Sequence, residues 1–167
     1  PEWTRIIEFE APARSAAAAA CTTEPPASAP GPASSPGPDS APDPLAERVD
    51  GDVIALGREV TKTIAQFDSI AGGLAPAELR LAFDCLSVII AECDLETSFR
   101  FSHILANHIR SVDGMGHFWL PRELDDEAVR VLEPLFDATV ELRLDGTELR
   151  QRWHFRDVDL TSEWLVL

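Results

Sequence analysis

The residues best suited by type to proton transfer or metal binding are four histidines. Two of them, His103 and His108, are five apart, about 140° around a helix, whereas a ligand pair on one helix stands three or four apart. The chain has no HExxH motif, no CxxC pair and no carboxylate–histidine run. His154 is the better candidate, because a hairpin register derived below sets it opposite Asp137. A carboxylate can orient an imidazole for catalysis, but the pair then needs a nucleophile. Ser162 and Cys93 are loose candidates for that role, and neither lies in a nucleophile-elbow motif. Asp113 and Glu123, near the segment His117–Leu120, are the remaining weak candidates. A structural ion pair is the simpler reading of His154 and Asp137.

Two carboxylate clusters, Glu92/Asp94/Glu96 and Asp125-Asp126-Glu127, resemble acid–base pairs or a calcium loop at first sight. Both fall where a helix begins, and a helix N-terminus favours acidic side chains through its dipole. The alternate-residue ligands and central glycine of a calcium loop are missing. A glycine-rich phosphate loop, a dinucleotide fingerprint and a basic stripe are likewise not found. The expectation is a protein with no catalytic residues, no metal and no cofactor.

Charge says more than any motif. The chain carries 29 acidic residues against 14 basic ones, a net charge of -15 over 167 residues. Such a field repels nucleic acid and anionic membrane surfaces and favours a basic protein partner. There is no apolar run near the roughly 18–20 residues that a membrane-spanning helix needs. A single lysine, Lys62, among the basic residues and abundant alanine and proline suggest a high-GC bacterial gene. The three cysteines do not make a disulfide framework, and Cys85 and Cys93, read as eight residues apart on one helix, would be about 12 Å apart. Reduced thiols in the cytoplasm are the expectation. Ala18-Ala19-Ala20-Cys21 looks like a lipoprotein cleavage site, but charged residues before it (Glu2, Arg5, Glu8, Glu10 and Arg14) deny it a secretory apolar core.

These residues must be positioned by a chain that divides into three. Residues 1–10 read as a short strand, with Trp3, Ile7 and Phe9 on one side. Residues 11–44 hold nine of the thirteen prolines among alanine, serine and glycine, the composition of a disordered linker. Residues 45–167 form the acidic domain. The N-terminal strand is expected to dock as an edge on that domain, in cis or by self-association with a neighbouring chain.

Within the domain, Val49, Val53, Leu56, Val60, Ile64, Phe67 and Ala71 make one apolar stripe, predicting a helix over 46–70 closed by Gly72-Gly73. A second helix is expected from Pro76 to Cys93, apolar around most of its circumference and the most buried element. Asp94 caps a third over 95–112. His117–Leu120 reads as a strand stopped by Pro121. Asp125 or Asp126 caps a fourth helix that should fail near Pro134. Asp145-Gly146 between alternating segments signals a type I′ hairpin. That register pairs Leu144 with Thr147, Glu141 with Arg150 and Arg143 with Glu148, and gathers Val140, Leu142, Leu144, Leu149, Trp153 and Phe155 on one face. A last strand is expected over 163–167.

Helices first and strands last argue an α+β fold, with about four helices packed on one face of a small antiparallel sheet that ends in a β-hairpin. All four tryptophans fall on predicted strands. Trp3, Trp119 and Trp164 together with Arg150 and Arg152 (and Arg156 on the same outer face) are of the residue types enriched at binding hot spots. The reading is therefore a non-catalytic, cytoplasmic, acidic module that binds a specific and basic protein, in the manner of an immunity protein or inhibitor. An assembly or export chaperone, or an accessory subunit of a larger complex, shares the same size and charge. An enzyme built around His154 and Asp137 is the alternative from a different class.

Overall fold

A computed structural model describes residues 3–10 and 45–167. The linker assigned to residues 11–44, and Cys21 within it, lie outside these described residues.

The strand at the N-terminus, β1 (Ile6–Glu10), pairs in parallel with β2 (Ala46–Asp50), so that Ile7 faces Glu47 and Phe9 faces Val49 in register. It docks within its own chain, with Ile7 and Phe9 against the hydrophobic core. The strand β2 replaces the first turn of the expected first helix. Val49 is spaced four from Val53 and so mimics helical periodicity. The chain breaks between them, at Gly51 with φ +131. Asp52 then caps α1 (Val53–Ala71) by accepting from the Ala55 N–H at 2.9 Å. Gly72, at φ 74, closes α1 in the left-handed conformation that glycine adopts without a Cβ clash.

The expected second helix also divides. Arg80–Phe83 forms β3, and only Leu86–Glu92 forms a helix, α2. Leu79 and Phe83 are both buried four residues apart, which imitates a helical stripe in an extended segment. Far from being buried all round, α2 keeps only Leu86 and Ile89 inside. Asp94 caps α3 (Leu95–Ser111) as expected, accepting from the Thr97 N–H at 2.6 Å. The chain then returns as β4 (Met115–Phe118), parallel to β3 with Phe83 opposite Phe118. Asp126 caps the short α4 (Glu127–Leu132), and Pro134 turns it into a single 3₁₀ turn, Glu133–Leu135.

The fold class expected from sequence is therefore wrong. Strands and helices are interleaved from β1 to α4, and the two strand pairs there are parallel. The helices do not cover one face of an antiparallel sheet. They pack with the parallel pairs around a core formed by Leu56, Val60 and Ile64 of α1, Leu86 and Ile89 of α2, and Leu105 and Ile109 of α3. Phe83, Phe118 and Phe136 extend it as a chain of tilted rings, 5.4 and 4.8 Å between centroids.

The antiparallel sheet exists, but it stands beside this body. It consists of β5 (Ala138–Asp145), β6 (Glu148–Phe155), β7 (Leu160–Thr161) and β8 (Leu165–Val166), with β6 at its centre. Arg110 of α3 holds its root by donating to the Leu135 carbonyl at 2.6 Å and to Asp137 at 3.1 Å. Arg156 donates to the Pro134 carbonyl on the other side of that root.

Its register differs from the expected one by two residues. Asp145 pairs with Glu148 and Leu144 with Leu149, which leaves Gly146-Thr147 as the turn. Gly146 takes φ 65, a positive-φ residue followed by an ordinary one, which is the type II′ pattern rather than type I′. A shift of two preserves the faces but changes every charge pair. Glu141 now faces Arg152, and Arg143 faces Arg150.

Candidate functional site

Alternation along β5 and β6 sends their charged side chains to one face, and the corrected register decides which of them meet. Glu141 Oε2 accepts from Arg152 Nε at 3.0 Å and Nη2 at 2.6 Å. The same oxygen lies 3.3 Å from His154 Nε2, and His154 Nδ1 lies 3.2 Å from the Thr161 hydroxyl on β7. Burial pushes the Glu141 carboxyl up, but the hydrogen bonds from Arg152 and His154 outweigh it and hold the group below the ordinary glutamate value. Trp164 completes the face, with the Arg143 guanidinium 3.9 Å and that of Arg152 4.7 Å from its ring centroid. Arg150, one step along, pairs with Asp145 at 3.5 Å and Glu148 at 3.0 Å.

Asp137, the expected partner of His154, is instead held by Arg110. His154 sits opposite Thr139 and takes its carboxylate from Glu141. Beside it opens a cleft of about 310 Å³ lined by Thr139, Phe155, Arg156, Leu160 and Thr161. Hydroxyl, imidazole and carboxylate thus follow one another as a general base would need them. Arg152 already satisfies the carboxylate, which limits what Glu141 can do for His154.

A second constellation lies at the carboxyl ends of β3 and β4. The Trp119 N–H donates to the Phe83 carbonyl at 2.8 Å, which places Trp119 and Asp84 side by side, one residue past the paired strands. Trp119 is 53% exposed, and Asp84, Glu123, Asp125 and Glu127, in the flanking segments, are exposed too. Arg122 is occupied by Asp126 at 3.0 Å. The Cys85 thiol donates to Asp84 at 3.3 Å. Burial, reinforced by Asp84, pushes that thiol up to about 11, which makes it a poor nucleophile.

Of the five residues singled out from sequence, Arg150, Arg152 and Trp164 share the charged face of the C-terminal sheet. Trp119 stands at the end of β4, and Trp3 stacks on Phe67 of α1 at 6.4 Å. The five therefore do not form one surface. Sequence reasoning missed Glu141 and Thr161 as the partners of His154. Glu141 becomes visible once the turn is placed at Gly146-Thr147, whereas no local signal marks Thr161. Among the described residues no cluster of three or more histidine, cysteine or acidic side chains is arranged to hold a metal ion. No described helix is long and apolar enough to cross a membrane.

Two parallel strand pairs, one of them (β3 and β4) joined through α2 and α3, define a mixed α/β domain carrying an antiparallel appendage. Residues 1–142 match a family of unknown function, DUF7504, and the chain belongs to it. That match ends inside β5, so most of the hairpin lies beyond it. No curated protein and no solved structure matches the chain.

Proposed function

We propose that this protein is a non-catalytic, acidic binding module for a basic protein, and that the surface around Trp119 is its docking point. The observation that carries the reading is an exposed tryptophan at the end of a strand, beside Asp84 and followed within six residues by the exposed Glu123 and Asp125. Residues 1–136 hold 22 acidic and 10 basic side chains, so this part of the chain supplies -12 of the total -15. Long-range attraction brings a basic partner in, and the indole offers it an apolar and cation-accepting anchor. Occlusion of a basic cleft, as an immunity protein or inhibitor does, uses the same surface as chaperoning a basic subunit. The thiols Cys85 and Cys93 are free, which suits a cytoplasmic protein.

The test is affinity capture from the native host with the intact chain and two variants, Trp119→Ala and Asp84→Asn/Glu123→Gln/Asp125→Asn. One stoichiometric basic protein is expected with the intact chain, weakened by about 0.5 M salt and at least tenfold by either variant. Equal recovery with all three chains, or no stoichiometric partner, overturns the reading.

A second reading rests on the Thr161–His154–Glu141 sequence of contacts beside the 310 Å³ cleft. In it Thr161 attacks an ester carbonyl while His154 takes the hydroxyl proton and passes it to the departing alcohol, and water then hydrolyses the acyl-threonine. It requires hydrolysis of an activated ester that disappears in both Thr161→Val and His154→Ala.

A further inference from the structure

The C-terminal sheet has two unlike faces. The first carries the Glu141, Arg152 and Arg143 cluster. The other is formed by the alternate residues and contains no charged side chain: Val140, Leu142 and Leu144 of β5, Leu149, Trp153 and Phe155 of β6, and Leu165 of β8, with Gln151, between Leu142 and Leu165, as its one polar member. Among the described residues this face stays largely open towards the turn, where Leu144 is 70% exposed, Leu149 45% and Leu165 48%, while Gln151 and Trp153 are half-buried. Singly exposed leucines are ordinary, but a contiguous apolar sheet face marks an interaction surface.

We propose that a second copy of this chain covers this face, giving a two-fold dimer in which the two C-terminal sheets stack as a sandwich. Charge and size together select that occupant. Residues 137–167 hold seven acidic and four basic side chains, a net of -3, against -12 for the rest. Most of those charges are paired across the opposite face. A sheet-to-sheet contact therefore joins two copies through their least repulsive region and leaves the acidic bodies apart. A basic partner would gain nothing from an uncharged face, whereas an isologous contact needs only a patch complementary to itself. Two such faces packed at about 10 Å also follow the aligned geometry that sheet twist favours.

The footprint sets the strength. Eight-residue strands at about 3.3 Å per residue, three strands across at about 4.8 Å, cover about 27 by 14 Å. Accessible area exceeds that projection, so the dimer buries on the order of 1,000 Å² in total, near the lower limit for a specific interface. The association is therefore concentration-dependent rather than permanent.

Sedimentation velocity of the full chain from about 1 to 300 µM tests it. The expected result is a mass rising from 18.3 kDa towards twice that value, with the midpoint moving to lower concentration as salt rises, because salt screens repulsion between the acidic bodies. Basic-partner binding through Trp119 weakens with salt instead, so the two readings fail separately. Leu142→Lys/Leu165→Lys should hold the chain at monomer mass with an unchanged circular dichroism spectrum. Ile104→Lys, an equal change of charge type on exposed α3, should leave the dimer intact. Monomer mass for the intact chain at every concentration overturns the proposal, and so does a dimer that survives the double variant.

Discussion

Arg152 grips Glu141 across β5 and β6 with two nitrogens on one carboxylate oxygen, at 3.0 and 2.6 Å. The pair links the strands on the face opposite the apolar one, and Trp164 stacks over the guanidinium. Both side chains retain about 30% of their exposure, so solvent screens the pair and its net contribution is modest. A double-mutant cycle with Glu141→Ala and Arg152→Ala should return a coupling of about 1 kcal/mol. A coupling near zero would reduce the contact to a surface coincidence.

The turn offers a sharper check on register. Gly146 has a positive φ and no atom within 4 Å of where a Cβ would stand. Replacement by alanine therefore costs backbone strain alone, about 1 kcal/mol. Thr147 has no positive φ, so Thr147→Ala should change stability by less than about 0.5 kcal/mol. If Asp145-Gly146 were the central pair of a type I′ turn, Asp145→Gly would relieve a positive φ and stabilise the chain, whereas in the observed turn it places glycine in a strand and destabilises. Chemical denaturation of the three variants decides between the turns.

What was legible in the sequence follows from how local each determinant is. Asp94 and the α3 stripe, Asp126 before α4, and the break at Pro134 are set by neighbours within four residues, and the structure keeps all of them. The hairpin's faces were also legible, because alternation survives a two-residue shift, but its charge pairs were not. Cross-strand opposition made Glu141–Arg150 look as good as Glu141–Arg152. The parallel pairs were invisible for a different reason. Nothing near Arg80–Phe83 announces Met115–Phe118, and Leu79 and Phe83 repeat at a helical interval while lying in an extended chain. The site follows the same rule: His154 stands out by residue type, but its partners Glu141 and Thr161 depend on pairings that only the folded chain supplies.

Gly114 shows the packing that makes the β3–β4 pair specific. A Cβ there would stand 2.9 Å from a Leu79 methyl and 3.1 Å from the Ile109 carbonyl oxygen. The methyl can move, but the carbonyl belongs to the last turns of α3 and also accepts the Gly114 N–H at 2.9 Å. Gly114→Ala should therefore destabilise by about 1–3 kcal/mol, lowering Tm by roughly 3–10 °C in a chain of this size. Gly73→Ala provides the contrast, since no atom lies within 4 Å of its Cβ and only its φ of 106 opposes the change. A Gly114→Ala protein as stable as the parent would mean that α3 and β4 approach less closely.

The helix caps predict a response to acid. Asp94 is held below the ordinary aspartate value of 3.8 chiefly by the Thr97 N–H, and Asp126 chiefly by the Ala128 N–H with help from Arg122. A carboxylate whose folded pKa is depressed contributes its full stabilisation above the unfolded value, and loses it as pH falls through the folded one. The window therefore opens below about pH 5 and extends beneath 3.8. Loss of net negative charge acts in the opposite direction over the same range, by relieving repulsion in a chain of charge -15. Asparagine separates the two effects, because it caps a helix about as well as aspartate but does not titrate. Thermal unfolding of the parent and of Asp94→Asn/Asp126→Asn should give similar Tm values once both aspartates are protonated, near pH 2. The parent should then gain on the variant as pH rises towards 6. Melting curves that stay parallel across that range would mean that the two carboxylates contribute nothing through their charge.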